Sequence, residues 1–211
     1  MDNPIVHFST VLMAFFAIMN PIANAPLFVG LTDGLDDATR KSVAVRSILI
    51  AFVIVASFSV LGREIFEAFG ITLPAFRIAG GALIGLVGYQ MLQGQESNVH
   101  APSAEDNARS RDAAIGIALS PLAMPILAGP GSIATAMNFA AESTIPDLTR
   151  VLSALAVICL VNLAAFLASD TLVRFLGQNG IKVVSRLMGL ILAVIGTQML
   201  IVGVRGAVGG S

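Results

Sequence analysis

The chain has 211 residues, 56% of them hydrophobic and only 12% charged, with a mean hydropathy of +0.87. A water-soluble domain carries about 25% charged residues, so this composition excludes one and describes a polytopic membrane protein. Twelve Lys and Arg against thirteen Asp and Glu leave a net charge of −1, without the basic face that phosphate backbones require, so nucleic acid is not an expected partner.

Uncharged runs occupy Asn3–Thr32, Ser47–Gly62, Ile78–Gln95, Ala113–Ala141, Val151–Ser169 and Leu187–Val204. Their lengths of 30, 16, 18, 29, 19 and 18 residues compare with the roughly 20 needed to cross a ~30 Å hydrocarbon core. Six membrane helices are therefore predicted, the second lengthened by Val45 and Arg46, because a terminal Arg reaches the headgroups with its guanidinium. The runs do not alternate as barrel strands would. Asp2 and the absence of basic residues before the first run predict a retained helix rather than a cleaved signal.

The polar stretch after the third run, with Glu96, Pro102, Glu105, Asp106, Arg109 and Arg111, reads as a solvated cytoplasmic linker. It divides the chain into residues 1–95, a linker of residues 96–112, and residues 113–211. Thr39-Arg40 recurs as Thr149-Arg150, Arg77 as Arg186, and Gln90-Met91-Leu92 as Gln198-Met199-Leu200, at offsets of 110, 109 and 108. Gly81 and Gly88 likewise recur as Gly189 and Gly196, placing glycines seven apart on one face of the last helix of each half. Three spans per unit make the second unit enter from the opposite side, so the predicted fold is all-α with six transmembrane helices in a 3+3 inverted repeat. Basic residues favour the first, third and fifth connections seven to three, which places both termini outside the cytoplasm.

The first run of each half is interrupted near its middle, by Asn20-Pro21-Ile22-Ala23-Asn24-Ala25-Pro26 and by Pro121, Pro125 and Gly129-Pro130-Gly131-Ser132. Proline removes a backbone donor and clashes one turn back, at a cost of about 3 kcal/mol inside a helix. Lipid offers no replacement hydrogen bonds, so a broken helix at this depth predicts a polar cavity. Helix N-termini present N–H groups there and C-termini present carbonyls, a pairing suited to the carboxylate and ammonium of a zwitterion. Asn20, Asn24, Ser132, Thr135 and Asn138 add neutral donors and acceptors. The alternative is that the prolines only kink continuous helices, with Asn20 and Asn24 joining helices by hydrogen bonds.

Arg77, Arg186 and Asp170 are the candidates for coupling or gating, with interfacial anchoring or a helix-end position as the alternative. Gln90 and Gln198 either line the cavity or pair structurally, and the recurring glycines, with Gly85 and Gly203, serve close packing. Cys159 reads as apolar filler. His7 and His100 form no metal-binding pattern, there is no phosphate-binding GxxxxGK[ST] loop, and no run holds the acid pair or nucleophile and base of an intramembrane protease. Neither an enzyme nor a bound cofactor or metal is expected.

The two interruption motifs, together with Arg77, Gly80, Gly81 and Gln90-Met91-Leu92, resemble the MarC family of six-span membrane proteins over the whole chain. That resemblance implies a carrier of small neutral amino acids such as glycine and alanine, driven in some members by the proton gradient, in the bacterial inner membrane. Carried over by position, it puts Asn20, Pro21, Asn24, Pro26, Pro125, Gly129, Pro130 and Gly131 at the substrate, with Ala23, Ala25 and Ala128 keeping the pocket small. The expected function is alternating-access secondary transport, whose partners are a small neutral amino acid, membrane lipid and a proton or other coupling ion. A channel or facilitator for a small neutral solute and a non-transporting scaffold remain the alternatives.

Overall fold

The computed structural model describes residues 4–32, 35–94, 122, 127–140 and 145–209. Its ordered elements are seven α-helices: α1 (Pro4–Met19), α2 (Pro21–Leu31), α3 (Asp37–Phe69), α4 (Leu73–Leu92), α5 (Pro130–Ala140), α6 (Ile145–Leu167) and α7 (Ser169–Gly209). No strand occurs among the described residues. The linker of residues 96–112 and the start of the run Ala113–Ala141 lie outside them, α5 being the described second part of that run.

Among the described residues five stretches are long and apolar enough to cross a membrane: Phe8–Leu31 (through α1 and α2), Asp37–Gly62, Leu73–Leu92, Asp147–Leu167 and Asn179–Gly209. Helices α3 and α4 begin where the chain supplies a cap rather than where the apolar run begins. Asp36 accepts a hydrogen bond from the Thr39 N–H at 3.2 Å, so α3 starts ten residues before Ser47. It ends at Gly70, whose left-handed φ of 64° lets Ile71 N–H donate back to the Phe66 carbonyl. Thr72 then caps α4, with Pro74 in the first turn, where a missing N–H costs nothing. In α7 the backbone leaves helical geometry at Gly177 (φ 63°, ψ 170°), which separates a short lead-in from the long apolar part.

The first span is the most enclosed, with 56% of its apolar stretch inside the protein against 28% for α4. One core cluster joins Val11, Phe15 and Met19 of α1 and Phe28 of α2 to Val43, Ile48 and Val55 of α3 and Leu155, Ile158 and Phe166 of α6. Leu49, Val53, Leu86, Leu160, Leu190 and Val194 remain exposed on the outer faces of α3, α4, α6 and α7. On a water-soluble protein such apolar belts would drive association; here lipid covers them.

Helices α4 and α7 form the most extensive interhelical contact, and glycine sets its distance. A Cβ at Gly81 would lie 2.7 Å from the Gly196 carbonyl oxygen, and one at Gly88 would lie 2.6 Å from that of Gly189. The reciprocal distances are 2.6 Å for Gly196 to Gly81 and 2.8 Å for Gly189 to Gly88. The helices therefore cross antiparallel, backbone against backbone. Gly85 differs: a Cβ there would meet nothing within 4 Å.

Candidate functional site

Between α1 and α2 the backbone turns at Asn20 (φ 29°, ψ 72°), which alone among the described non-glycine residues has positive φ. Proline disfavours helical geometry in the residue before it, and Asn tolerates the left-handed region better than most side chains. Pro21 also has no N–H for the Ala17 carbonyl. The break is partly mended from the side of α2. Ala23 N–H donates to Asn20 Oδ1 at 3.2 Å, Asn24 N–H donates to the Asn20 carbonyl at 3.1 Å, and Asn24 Nδ2 donates to the Met19 carbonyl at 2.6 Å. Asn20 is 4% exposed, and its Nδ2 has no hydrogen-bond partner.

The second interruption has a related geometry. Ile133 N–H donates to the Gly129 carbonyl at 3.0 Å, and Ser132 Oγ donates to the Leu127 carbonyl at 2.8 Å, five residues back as Asn24 reaches Met19. Gly129 has no side chain to cap α5 and Pro130 has no N–H, so the amides of Gly131 and Ser132 have no carbonyl of their own helix to meet. Gly129, Pro130, Gly131 and Ser132 border a cavity of ≈ 20 Å³ whose opposite walls are Ile18 of α1 and Leu83 and Val87 of α4. That is room for about one water, so an amino acid enters only if the walls move apart. A Cβ on Gly131 would lie 2.8 Å from Ile18 Cδ1, so α5 begins directly against α1, two residues before Asn20. Thr135 is buried one turn further along α5.

The sequence-predicted residues thus fall into two adjoining places. Gly129, Pro130, Gly131 and Ser132 line the cavity. Asn20, Pro21, Ala23, Asn24 and Pro26 belong to the α1–α2 turn and the first part of α2 and do not line it. Pro125 lies outside the described residues.

A further buried polar residue, Asn162 of α6, is 0% exposed. Its Nδ2 donates to the Ile158 carbonyl at 3.0 Å, and its Oδ1 is buried without a partner. Sequence reading missed it because it stands alone in an apolar run, and the repeat offset of 110 pairs it with Phe52. The remaining signal was an Asn inside a run that otherwise needs none.

Arg77 donates from Nε to Asn138 Oδ1 at 2.9 Å, tying α4 to the end of α5. Its sequence counterpart Arg186 has different surroundings: a Cβ at Gly94, just beyond α4, would lie 3.2 Å from the Arg186 guanidinium. Asp170 is half-exposed and ion-paired with Arg40 at 3.0 Å. The Arg40 guanidinium lies 5.9 Å from the Phe28 ring centroid, and Phe28 stacks on Phe166 at 4.6 Å. Gln90 and Gln198 differ as well, Gln198 being exposed and Gln90 half-buried with its Oε1 unpartnered. No group of three His, Cys, Asp or Glu capable of holding a metal occurs among the described residues.

Five apolar membrane-length stretches, lipid-facing side chains and an enclosed polar break define an all-helical, multi-pass integral membrane protein. The family model described as MarC family integral membrane protein matches residues 5–208. A UPF0056 membrane protein of Bacillus subtilis, YvbG, is 38% identical over 96% of this chain and 94% of its own length. A UPF0056 membrane protein of Methanocaldococcus jannaschii is 36% identical over 95% and 97%, and the UPF0056 inner membrane protein MarC of Escherichia coli is 30% identical over 92% and 91%. The chain belongs to the MarC family. No solved structure matches it.

Proposed function

We propose that this protein is a secondary transporter of small neutral amino acids of the glycine and alanine kind, working by alternating access in the inner membrane. The observation that carries the reading is the break at Asn20: a strained, buried asparagine with an unpartnered amide, beside a helix N-terminus, in the most enclosed span. Strain and unpaired polarity at that depth are costs that packing alone does not require. The second break supplies two further amides at a small, uncharged cavity. A zwitterion fits such groups, its carboxylate meeting the N–H ends and its ammonium the carbonyls released by Pro21 and Pro26.

The antiparallel pair of α4 and α7 supports a 3+3 inverted repeat. Exchanging residues at the offset of 108 turns the contact of Gly81 with Gly196 into that of Gly189 with Gly88, and both contacts occur. With α6 crossing once between them, antiparallel α4 and α7 call for one more crossing, which the 29-residue apolar run Ala113–Ala141 of the sequence is long enough to supply. The ion pair of Arg40 with Asp170 supports a reading in which the first and fifth connections share one side, the basic and hence cytoplasmic side. Both termini then face away from the cytoplasm.

Counterflow in proteoliposomes tests the reading. Preloading with unlabelled alanine should accelerate entry of labelled alanine or glycine and saturate. Entry that is rapid but unaffected by preloading would instead identify a channel. No entry of any small neutral amino acid would overturn transport of this class and leave a scaffold.

A further inference from the structure

We infer that Asn162 is the acceptor for the substrate's ammonium group, a third asparagine completing the site begun by Asn20 and Asn24; the inference rests on the transporter reading above. The assignment starts from which end of each amide is engaged. A backbone carbonyl only accepts, so the bond to the Ile158 carbonyl fixes Nδ2 of Asn162 there and leaves Oδ1 as the free, buried acceptor. A backbone N–H only donates, so the bond from Ala23 fixes Oδ1 of Asn20 and leaves Nδ2 as the free, buried donor. Asn20 Nδ2 is therefore an unused donor and Asn162 Oδ1 an unused acceptor. Both are more than nine-tenths buried, where an unmade hydrogen bond is expensive.

The fold brings α6 to the same level as α2. Phe28 and Phe166 stack nearly parallel, with 7° between their planes. Beyond them the two helices lead to Arg40 and Asp170, which are ion-paired, so α2 and α6 run in the same direction. Asn24 stands four residues before Phe28 and Asn162 four residues before Phe166, one helical turn back on the same faces. The two asparagines are thus level across the interface, one turn below the ring stack, and the carbonyls they bond belong to Met19 and Ile158, both in one core cluster. Asn24 is engaged by the Met19 carbonyl, which leaves Asn162 Oδ1 to receive the ammonium while Asn20 Nδ2 and the start of α2 receive the carboxylate. An α-amino acid supplies both charges within a few ångströms, which a monocarboxylate or a simple amine does not.

The test is the saturable thermal stabilisation of the detergent-purified full chain by L-alanine, since a ligand of the folded state raises stability by mass action. Asn162→Leu keeps the branched heavy-atom shape and removes the acceptor. It should raise the half-saturating alanine concentration by about tenfold or more, the loss expected for one hydrogen bond to a charged group. Asn162→Asp keeps an acceptor oxygen and should bind at about pH 8 within roughly threefold of the parent or more tightly. A leucine variant that binds alanine like the parent would overturn the assignment and leave the transporter reading standing. So would an aspartate variant whose binding is lost, which also decides the matter if the leucine variant does not fold. A parent protein that responds to none of alanine, glycine and serine would remove the transporter reading and this assignment with it.

Discussion

Replacing Gly196 with Ala should unseat the crossing of α4 and α7, whereas the same replacement at Gly85 should not. A Cβ on Gly196 would lie 2.5 Å from the Gly85 nitrogen and 2.6 Å from the Gly81 carbonyl oxygen. Both are backbone atoms of a helix and cannot turn aside. Restoring an ordinary contact of 3.4 Å requires the helices to part by about 0.9 Å, which loosens every close contact along the crossing, including that of Gly88 with Gly189. Overpacking of this kind costs about 1–3 kcal/mol, with immovable obstacles at the upper end. At Gly85 the new methyl points into open space, and removing a helix-interior glycine contributes about 0.5–1 kcal/mol of stability. That gain is common to both helix-interior replacements and cancels between them, so the variants should differ by the overpacking term, about 2–3 kcal/mol with obstacles that cannot move, or roughly 4–12 °C in melting temperature for a chain of this length. Thermal unfolding of each variant in the same detergent measures the difference. Melting temperatures within about 2 °C of each other would refute the argument that backbone contact between these helices sets their separation.

Gly131→Leu should fill the cavity beside Ile18 and abolish stabilisation by alanine while the protein still melts cooperatively; undiminished alanine binding would move the site away from α5. Asp170→Asn should change stability by less than about 1 kcal/mol, because the pair with Arg40 is half-exposed. It should also leave any pH-gradient dependence of alanine uptake intact, and loss of that dependence would restore Asp170 as a proton carrier. Asp36 caps α3, and hydrogen bonds from the Thr39 hydroxyl and backbone N–H hold its carboxyl below the ordinary 3.8. A lowered folded-state value means stability that is present above the unfolded value and lost as pH falls through the folded one. Between about pH 5 and about pH 2 the parent should lose more thermal stability than Asp36→Asn, whose side chain caps without titrating; equal losses would remove Asp36 from the acid response.

What the sequence made legible was whatever depends on a local backbone rule. The break at Asn20-Pro21 follows from proline's missing donor, and the start of α5 at Pro130 from the same rule. The recurring glycines marked a close helix crossing because no other residue permits backbone contact. The extents of α3 and α4 were less legible, since Asp36 and Thr72 begin helices several residues before the apolar runs do. Hydropathy reports where lipid lies, whereas hydrogen bonding decides where a helix starts. Gly85 shows a related limit: its place in the glycine series did not reveal that its own missing side chain faces open space.

The site was harder to read because the two halves use equivalent positions differently. Arg77 reaches Asn138 across to α5, yet the position 109 residues before Asn138 is Val29, so Arg186 has no such acceptor in the first half. Asn20 caps α2 with its side chain, while its counterpart Gly129 leaves the amides of α5 bare. Asn162 is buried with an unpartnered Oδ1, while Phe52 stands at the matching place in the first half. Repetition in the sequence draws attention to what the halves share, namely the breaks and the glycine crossing. A solute with unlike ends needs the reverse, a donor on one wall and an acceptor on another. On the proposed reading those unlike groups, Asn20 Nδ2 and Asn162 Oδ1, reside where the halves diverge, which is why Asn162 emerged only once α2 and α6 stood side by side.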